Sequence, residues 1–186
     1  HTGERNTSVG AGSMKVITTG NDNTAVGYWS QYGASITGDF NTSVGSNSLK
    51  NLVSGDKNIS VGHEAGDVIT SGSNNVIIGT GSDPSASSAS NQTVIGYNVT
   101  GQADNSVVLG NADVTDIYMA QDKGATVHAA GADLSGSTGL ILENDETITN
   151  STDGTVLING TVAGGTGSGA GVFTSNGDQD VTMQTG

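Results

Sequence analysis

Side chains that could do chemistry are sparse in this sequence and are not spaced for it. Histidine occurs only at His1, His63 and His128, and no pair has the spacing of metal ligands. Cysteine is absent, which removes thiolate nucleophiles, disulfides and cysteine-based zinc sites. Asp178 and Asp180 could touch one cation, but the acidic residues form no EF-hand loop, and we interpret this pair as solubilising charge. We therefore predict no metal site.

Sequence motifs of enzymes are missing as well. The segment "GTGSGAG" at 165–171 is superficially similar to a dinucleotide-binding fingerprint, but no strand–helix context surrounds it. No Gly-x-Ser-x-Gly elbow, P-loop or paired carboxylates stand out. We predict that the protein is not an enzyme, has no catalytic residue and needs no cofactor.

Aromatic residues cluster once, in "GYWSQYG" at 27–33, which contains Tyr28, Trp29 and Tyr32. Aromatic rings beside polar residues can stack on sugar rings, so these three are candidate glycan contacts. The commoner role of such a cluster is to cover an edge of the fold or to pack between chains. The sequence favours that second interpretation.

The charge of the chain excludes several partners. The formal charge is −13, and the five basic residues are scattered along the sequence. They are Arg5, Lys15, Lys50, Lys57 and Lys123. Nucleic acids and anionic membrane surfaces are bound by clustered cations, so neither is an expected partner. No apolar run is long enough to span a bilayer, and no membrane insertion is expected.

A pentapeptide of the "NTSVG" type recurs through the first two thirds of the chain. Its closing glycines are separated by 17, 18, 17, 17, 17 and 14 residues. They are Gly10, Gly27, Gly45, Gly62, Gly79, Gly96 and Gly110. A fixed period near 20 residues indicates a solenoid in which each repeat forms one coil.

The residues before each glycine predict a short strand. The last position before the glycine is apolar in every repeat: Val9, Val26, Val44, Val61, Ile78, Ile95 and Leu109. The position two residues earlier is always β-branched: Thr7, Thr24, Thr42, Ile59, Val76, Thr93 and Val107. Residues two apart share one face of a strand, and we expect this face to form the core.

The position between these two columns belongs to the opposite face of the strand. It is occupied by Ser8, Ala25, Ser43, Ser60, Ile77, Val94 and Val108. We expect this face to point outward. Its change to apolar residues in the last three repeats predicts a cover, and the simplest cover is another copy of the chain.

An asparagine precedes the strand in five repeats: Asn6, Asn23, Asn41, Asn58 and Asn75. Stacked coils would bring these amides into a hydrogen-bonded ladder. Asparagine also suits the turn before a strand, and the two interpretations are compatible.

The other half of each repeat is less regular but carries further apolar residues. Met14 and Leu49 lie four residues past their glycines, and Ile17, Leu52 and Ile69 lie seven past. We therefore predict an all-β, flattened β-solenoid with two short strands per coil. The few aliphatic side chains in each coil do not offset the cost of ordering its backbone, and hydrogen bonds between coils recover only part of the deficit, so association around a common axis is expected.

Several repeats resemble those of known fibrous proteins. "NSVVLG" at 105–110 resembles the "NSVAIG"-type repeat of YadA-like heads of trimeric autotransporter adhesins. "NTAVGYWSQY" and "NTSVGSNSLKNLVSG" are similar to arrays in phage tail fibres, as is 111–131, which follows the array. The resemblance covers roughly residues 1–131 and implies a left-handed parallel β-roll, assembled as a homotrimer and used for attachment. A heptad stalk and a membrane anchor are not found in the sequence, which favours the phage-fibre side.

These observations predict two segments, a β-roll repeat domain of about seven coils at 1–121 and a β-rich trimeric shaft or connector at 122–186. A flexible glycine-rich linker around 163–171 is the alternative for the second. The predicted function is an extracellular attachment-fibre segment of a phage-type trimeric tail fibre, which positions or forms a receptor-binding surface. The alternative is a bacterial trimeric surface adhesin or extracellular filament subunit. The expected partners are two further copies of the chain and a host-surface glycan or protein receptor.

Overall fold

The described part of the chain is a parallel β-solenoid. The computed structural model describes residues 2–118 and 120, and no helix occurs among them. Each repeat contributes one short strand: β1 Thr7–Val9, β2 Thr24–Val26, β3 Thr42–Val44, β4 Ile59–Val61, β5 Val76–Ile78, β6 Gln92–Ile95 and β7 Ser106–Leu109. The strands form one sheet in chain order, and every neighbouring pair is parallel. The predicted β-solenoid is confirmed over about six turns.

The register follows the repeat. Val44 lies beside Val61, and each aligned column of the sequence is a column of neighbours in the sheet. The shorter last repeat keeps this register, because Ile95 still lies beside Leu109. The residues lost from that repeat therefore come from the segment that returns the chain to the next strand.

The predicted second strand of each coil does not form. The return segments make isolated parallel bridges, such as the one between Ile17 and Ile36. They still bond from coil to coil, as in the bond from Val53 N to Thr70 O at 2.9 Å. Residues with positive φ, such as Leu49 at 49°, interrupt the extended backbone that a continuous strand requires.

The two faces of the strands are the reverse of those predicted. Ile77 is 0% exposed, whereas its neighbour Ile78 is 39% exposed. The column from Val9 to Leu109 points outward, and the column from Ala25 to Val94 is buried. The interior beside the early strands is narrow, since Ser60 Oγ donates to the carbonyl of Ala65 at 2.6 Å across the coil. The interior therefore holds a small side chain beside β4, whereas beside β5 and β6 it holds Ile77 and Val94.

The apolar core is internal to the single chain. Its cluster consists of Leu49, Leu52, Ala65, Ile69, Ile77, Val94 and Val99, with Val108 packed against it. Met14 is buried as predicted, and Ile17 is half-buried. Ile77 and Val94 thus belong to this core, and the prediction that a second copy covers their face was wrong.

The asparagines before the strands form a buried ladder. Asn23, Asn41, Asn58 and Asn75 are all 0% exposed. In each step the backbone N–H of one donates to Oδ1 of the previous one, for example from Asn58 to Asn41 at 2.9 Å. Each Nδ2 also donates to a carbonyl of the next coil, as from Asn58 to Gly72 at 2.8 Å. Gln92 continues the ladder by donating its N–H to Asn75.

The glycine after each strand is required by both conformation and space. Gly45 has φ 139°, a value that L side chains rarely adopt. A Cβ there would lie 2.2 Å from the carbonyl oxygen of Gly62 in the next coil. The repeated glycines therefore allow the coils to approach closely at this corner.

The segment predicted as a shaft, 122–186, lies outside the described residues. The same is true of His1, His128, Asp178, Asp180 and the glycine-rich 165–171. In the described part of the chain, no helix is long and apolar enough to cross a membrane.

Candidate functional site

The three aromatic residues of 27–33 form one stack on an edge of the solenoid. The ring centroids of Tyr28 and Trp29 are 4.8 Å apart, and those of Trp29 and Tyr32 are 4.9 Å apart. Trp29 has φ 53°, so the chain turns sharply there after β2. A Cβ on Gly12 of the preceding coil would lie 2.5 Å from Cδ1 of Trp29, which shows that the indole rests against that glycine.

Two lysines lie over this stack. Nζ of Lys15 is 5.6 Å from the ring centroid of Tyr32, and Nζ of Lys50 is 5.6 Å from that of Trp29. Lys15, Tyr32 and Lys50 are 17 and 18 residues apart, so they occupy the same place in successive coils. The basic residues are scattered in the sequence, but the fold brings two of them together. The coil period could have revealed this, because it applies to the return segments as well as to the strands.

The polar groups of this cluster make no hydrogen bond within the described residues, although the charge of Lys50 acts on Asp67 and partly offsets the rise in the pKa of that carboxyl group. No atom of the described residues accepts a hydrogen bond from Trp29 Nε1, from the two tyrosine hydroxyls or from either ammonium group. Neither lysine forms an ion pair with a carboxylate of the described part. These donors are therefore available to water or to a bound molecule. We call Lys15, Tyr28, Trp29, Tyr32 and Lys50 the aromatic–lysine cluster.

The outward face of the sheet is a second candidate surface, which we call the outer stripe. It consists of Thr7, Val9, Thr24, Val26, Thr42, Val44, Ile59, Val61, Val76, Ile78, Thr93, Ile95, Val107 and Leu109. None of these side chains is charged. The column that ends each strand is exposed from Val44 at 39% to Leu109 at 44%, whereas Val26 is half-buried. A continuous apolar face of this kind commonly marks an interaction site.

Acidic residues gather further along the edge that carries the aromatic–lysine cluster. Asp67 follows Lys50 by 17 residues and takes its place in the next coil. Burial raises the pKa of Asp83 to about 6, with Asp67 and Glu64 adding to the shift. Burial, followed by the charge of Glu64, also raises the pKa of Asp67.

The described histidine and carboxylates do not assemble a metal site. His63 Nδ1 lies 3.7 Å from Glu64 Oε2 on the surface. No group of three or more histidine, aspartate or glutamate side chains in the described residues is arranged to hold a metal ion.

Comparisons with known proteins found no match, whether to a family model, to a curated protein or to a solved structure. The assignment of the fold therefore depends on the strand pairing of this chain. The in-register parallel sheet and the buried amide ladder define it as a β-solenoid.

Proposed function

We propose that this chain is a structural segment of an extracellular attachment fibre and that it assembles as a homotrimer through the outer stripe. The single observation that carries the proposal is the uncharged face, β-branched at every position except Leu109, that one chain leaves in contact with water. The phage-type tail fibre suggested by the repeats is the preferred setting. In that role the solenoid holds a receptor-binding surface or forms part of one.

The chemistry of the stripe supports self-association. Charged residues are absent from it, although the whole chain carries a formal charge of −13. Copies of so acidic a chain repel one another least where uncharged faces meet. Burying the exposed valines, isoleucines and leucine then contributes a favourable free energy of about 25 cal/mol for each Å² of apolar surface.

The repeat also favours another copy of the same chain as the partner that covers the outer stripe. Identical stripes have the same spacing between coils, so side chains of one copy can interdigitate with those of another along the whole length. Three copies around an axis are what the resemblance to trimeric fibres implies. Their summed charge keeps the assembly soluble.

Sedimentation of the full chain tests the proposal. We expect a species of three times the chain mass of 18.4 kDa. Ile78→Lys and Val44→Lys place charges on the stripe and should give a folded monomer, as judged by circular dichroism. A wild-type chain that stays monomeric at every concentration would reject the proposal.

Two matched variants complete the experiment. Thr80→Lys adds the same charge to an exposed position outside the stripe and should leave the trimer intact. Ile77→Lys buries the charge one residue from Ile78 and should unfold the chain. Dissociation caused equally by Thr80→Lys would assign the effect to net charge rather than to the stripe.

A further inference from the structure

We propose that the aromatic–lysine cluster binds an anionic saccharide, a sugar chain bearing carboxylate or sulfate groups. The cluster spans the first three coils on one edge of the solenoid, outside the outer stripe. The inference deepens the attachment role proposed above and rests on it for the source of the ligand, a surface polysaccharide. It does not depend on the oligomeric state.

The unfilled donors identify the chemistry of the ligand. The indole N–H, the two tyrosine hydroxyls and the two ammonium groups belong to one stack of rings, and none of them has a hydrogen-bond acceptor in the described residues. A ligand that fills such a site must be rich in acceptors. Saccharide oxygens satisfy this requirement, and a carboxylate or sulfate forms the stronger, charge-assisted bonds with lysine.

The position of the lysines favours an anionic sugar over a neutral one. The described residues hold four lysines and arginines, and two of these four lie over the same three rings. The acidic Asp67 occupies the position of Lys50 in the next coil. The attractive region is therefore confined to the edge between Lys15 and Lys50, where a short anionic segment would bind.

The rings form a preorganised platform for the sugar itself. Trp29 rests on Gly12 and stacks with both tyrosines, so its orientation is fixed before a ligand arrives. Tyr28 is 49% exposed and presents an open apolar surface with a polar tip. Rigid aromatic side chains lose little conformational entropy on binding, which favours their use as contacts.

The chain contains its own probe of this site, because Trp29 is its only tryptophan. The full chain is titrated with short oligogalacturonates, and the fluorescence of Trp29 is followed. Neutral galactose oligomers of the same length and inorganic sulfate at the same ionic strength are titrated in parallel. We expect a saturable change with the oligogalacturonates, little change with the neutral oligomers and none with sulfate.

Substitutions then locate the binding. Lys15→Ala and Lys50→Ala should each weaken the oligogalacturonate affinity about tenfold, because each removes one charge-assisted contact. Lys57→Ala removes the same charge elsewhere and should have no effect. Tyr28→Ala should weaken binding, whereas Tyr97→Ala, which changes the tyrosine at the corresponding place of a later coil, should not.

The outcomes separate this inference from the proposed function. No fluorescence response to oligogalacturonate overturns it, even if sedimentation gives a trimer. An equal response to the neutral oligomers overturns the assignment to anionic saccharides. A loss of affinity with Lys57→Ala equal to that with Lys15→Ala or Lys50→Ala overturns the location of the site. A lysine-dependent response in a chain that sediments as a monomer would support the binding site and reject the trimer.

Discussion

Asp83 shows how a single side chain can set the pH dependence of this solenoid. Its carboxyl group is half-buried, its Oδ1 accepts a long bond from the N–H of Val68 at 3.4 Å, and the backbone N–H of Asp67 also acts on it. Burial is the largest cause of its pKa of about 6, which lies above the ordinary value of 3.8. The folded chain therefore binds this proton more tightly than the unfolded chain does.

The stability linked to Asp83 should fall as the pH rises from 3.8 to about 6 and then stay constant. Asp83→Asn keeps an acceptor for Val68 but removes the charge. We expect this variant to raise Tm at neutral pH and to flatten the change of Tm across that interval. Thermal melting followed by circular dichroism at a series of pH values is the measurement.

Asp104 provides a control, because the fold shifts its pKa in the direction opposite to that of Asp83. Its pKa is lowered, first by the N–H of Ser90 and then by the amide of Gln92. The stability it contributes is present above the ordinary pKa of 3.8 and is lost as the pH falls below it. Asp104→Asn should therefore lower Tm at neutral pH. Identical effects of the two substitutions would contradict the assignment of Asp83.

At the scale of the coil, the buried amide ladder connects one element to the next. An amide carries both donors and an acceptor on a short side chain, which neither serine nor aspartate provides. Asn58 uses all of them, since it donates to Asn41 and Gly72 and accepts from Asn75. The same geometry in the first five coils explains why asparagine repeats before the strand there.

Asn58→Ala should lower the free energy of unfolding by about 3 kcal/mol, because the N–H of Asn75 loses its acceptor in a buried place. Urea denaturation measures this change. Asn51→Ala is the matched control, since Asn51 is exposed and makes one bond to the carbonyl of Asp67. It should cost less than about 1 kcal/mol. Equal losses would show that the ladder adds nothing beyond an exposed bond.

At the scale of the whole molecule, the outer stripe leaves each solenoid with an apolar face in water. Folding of the chain and its assembly are then linked, because self-association stabilises only the folded state. The proposed trimer therefore predicts a Tm that rises with protein concentration. Calorimetry over a range of concentrations measures it, and Ile78→Lys should abolish the dependence. A wild-type Tm independent of concentration would argue against assembly through the stripe.

The stacked parallel coils could be predicted because they depend on residues at a fixed spacing. Identical residues one coil apart, such as Asn41 and Asn58, are neighbours in any stacked arrangement, so the parallel sheet and the ladder followed from the period. The positive φ of Gly45 followed from its recurrence at the corner. The return segments vary in length and composition, and their predicted second strand did not form.

The sequence by itself therefore determined that this chain winds into stacked parallel coils, because the period fixes which residues become neighbours. Only the tertiary structure decided which side of each strand is inside. A two-residue alternation is the same viewed from either face, and the inward column combines small residues such as Ser60 with the branched Ile77 and Val94, so residue type alone does not identify it. The coil period aligns Lys15, Tyr32 and Lys50, but only the tertiary structure placed the ammonium group of Lys15 over the ring of Tyr32 and that of Lys50 over the ring of Trp29, because such contacts depend on the side-chain conformations in the return segments.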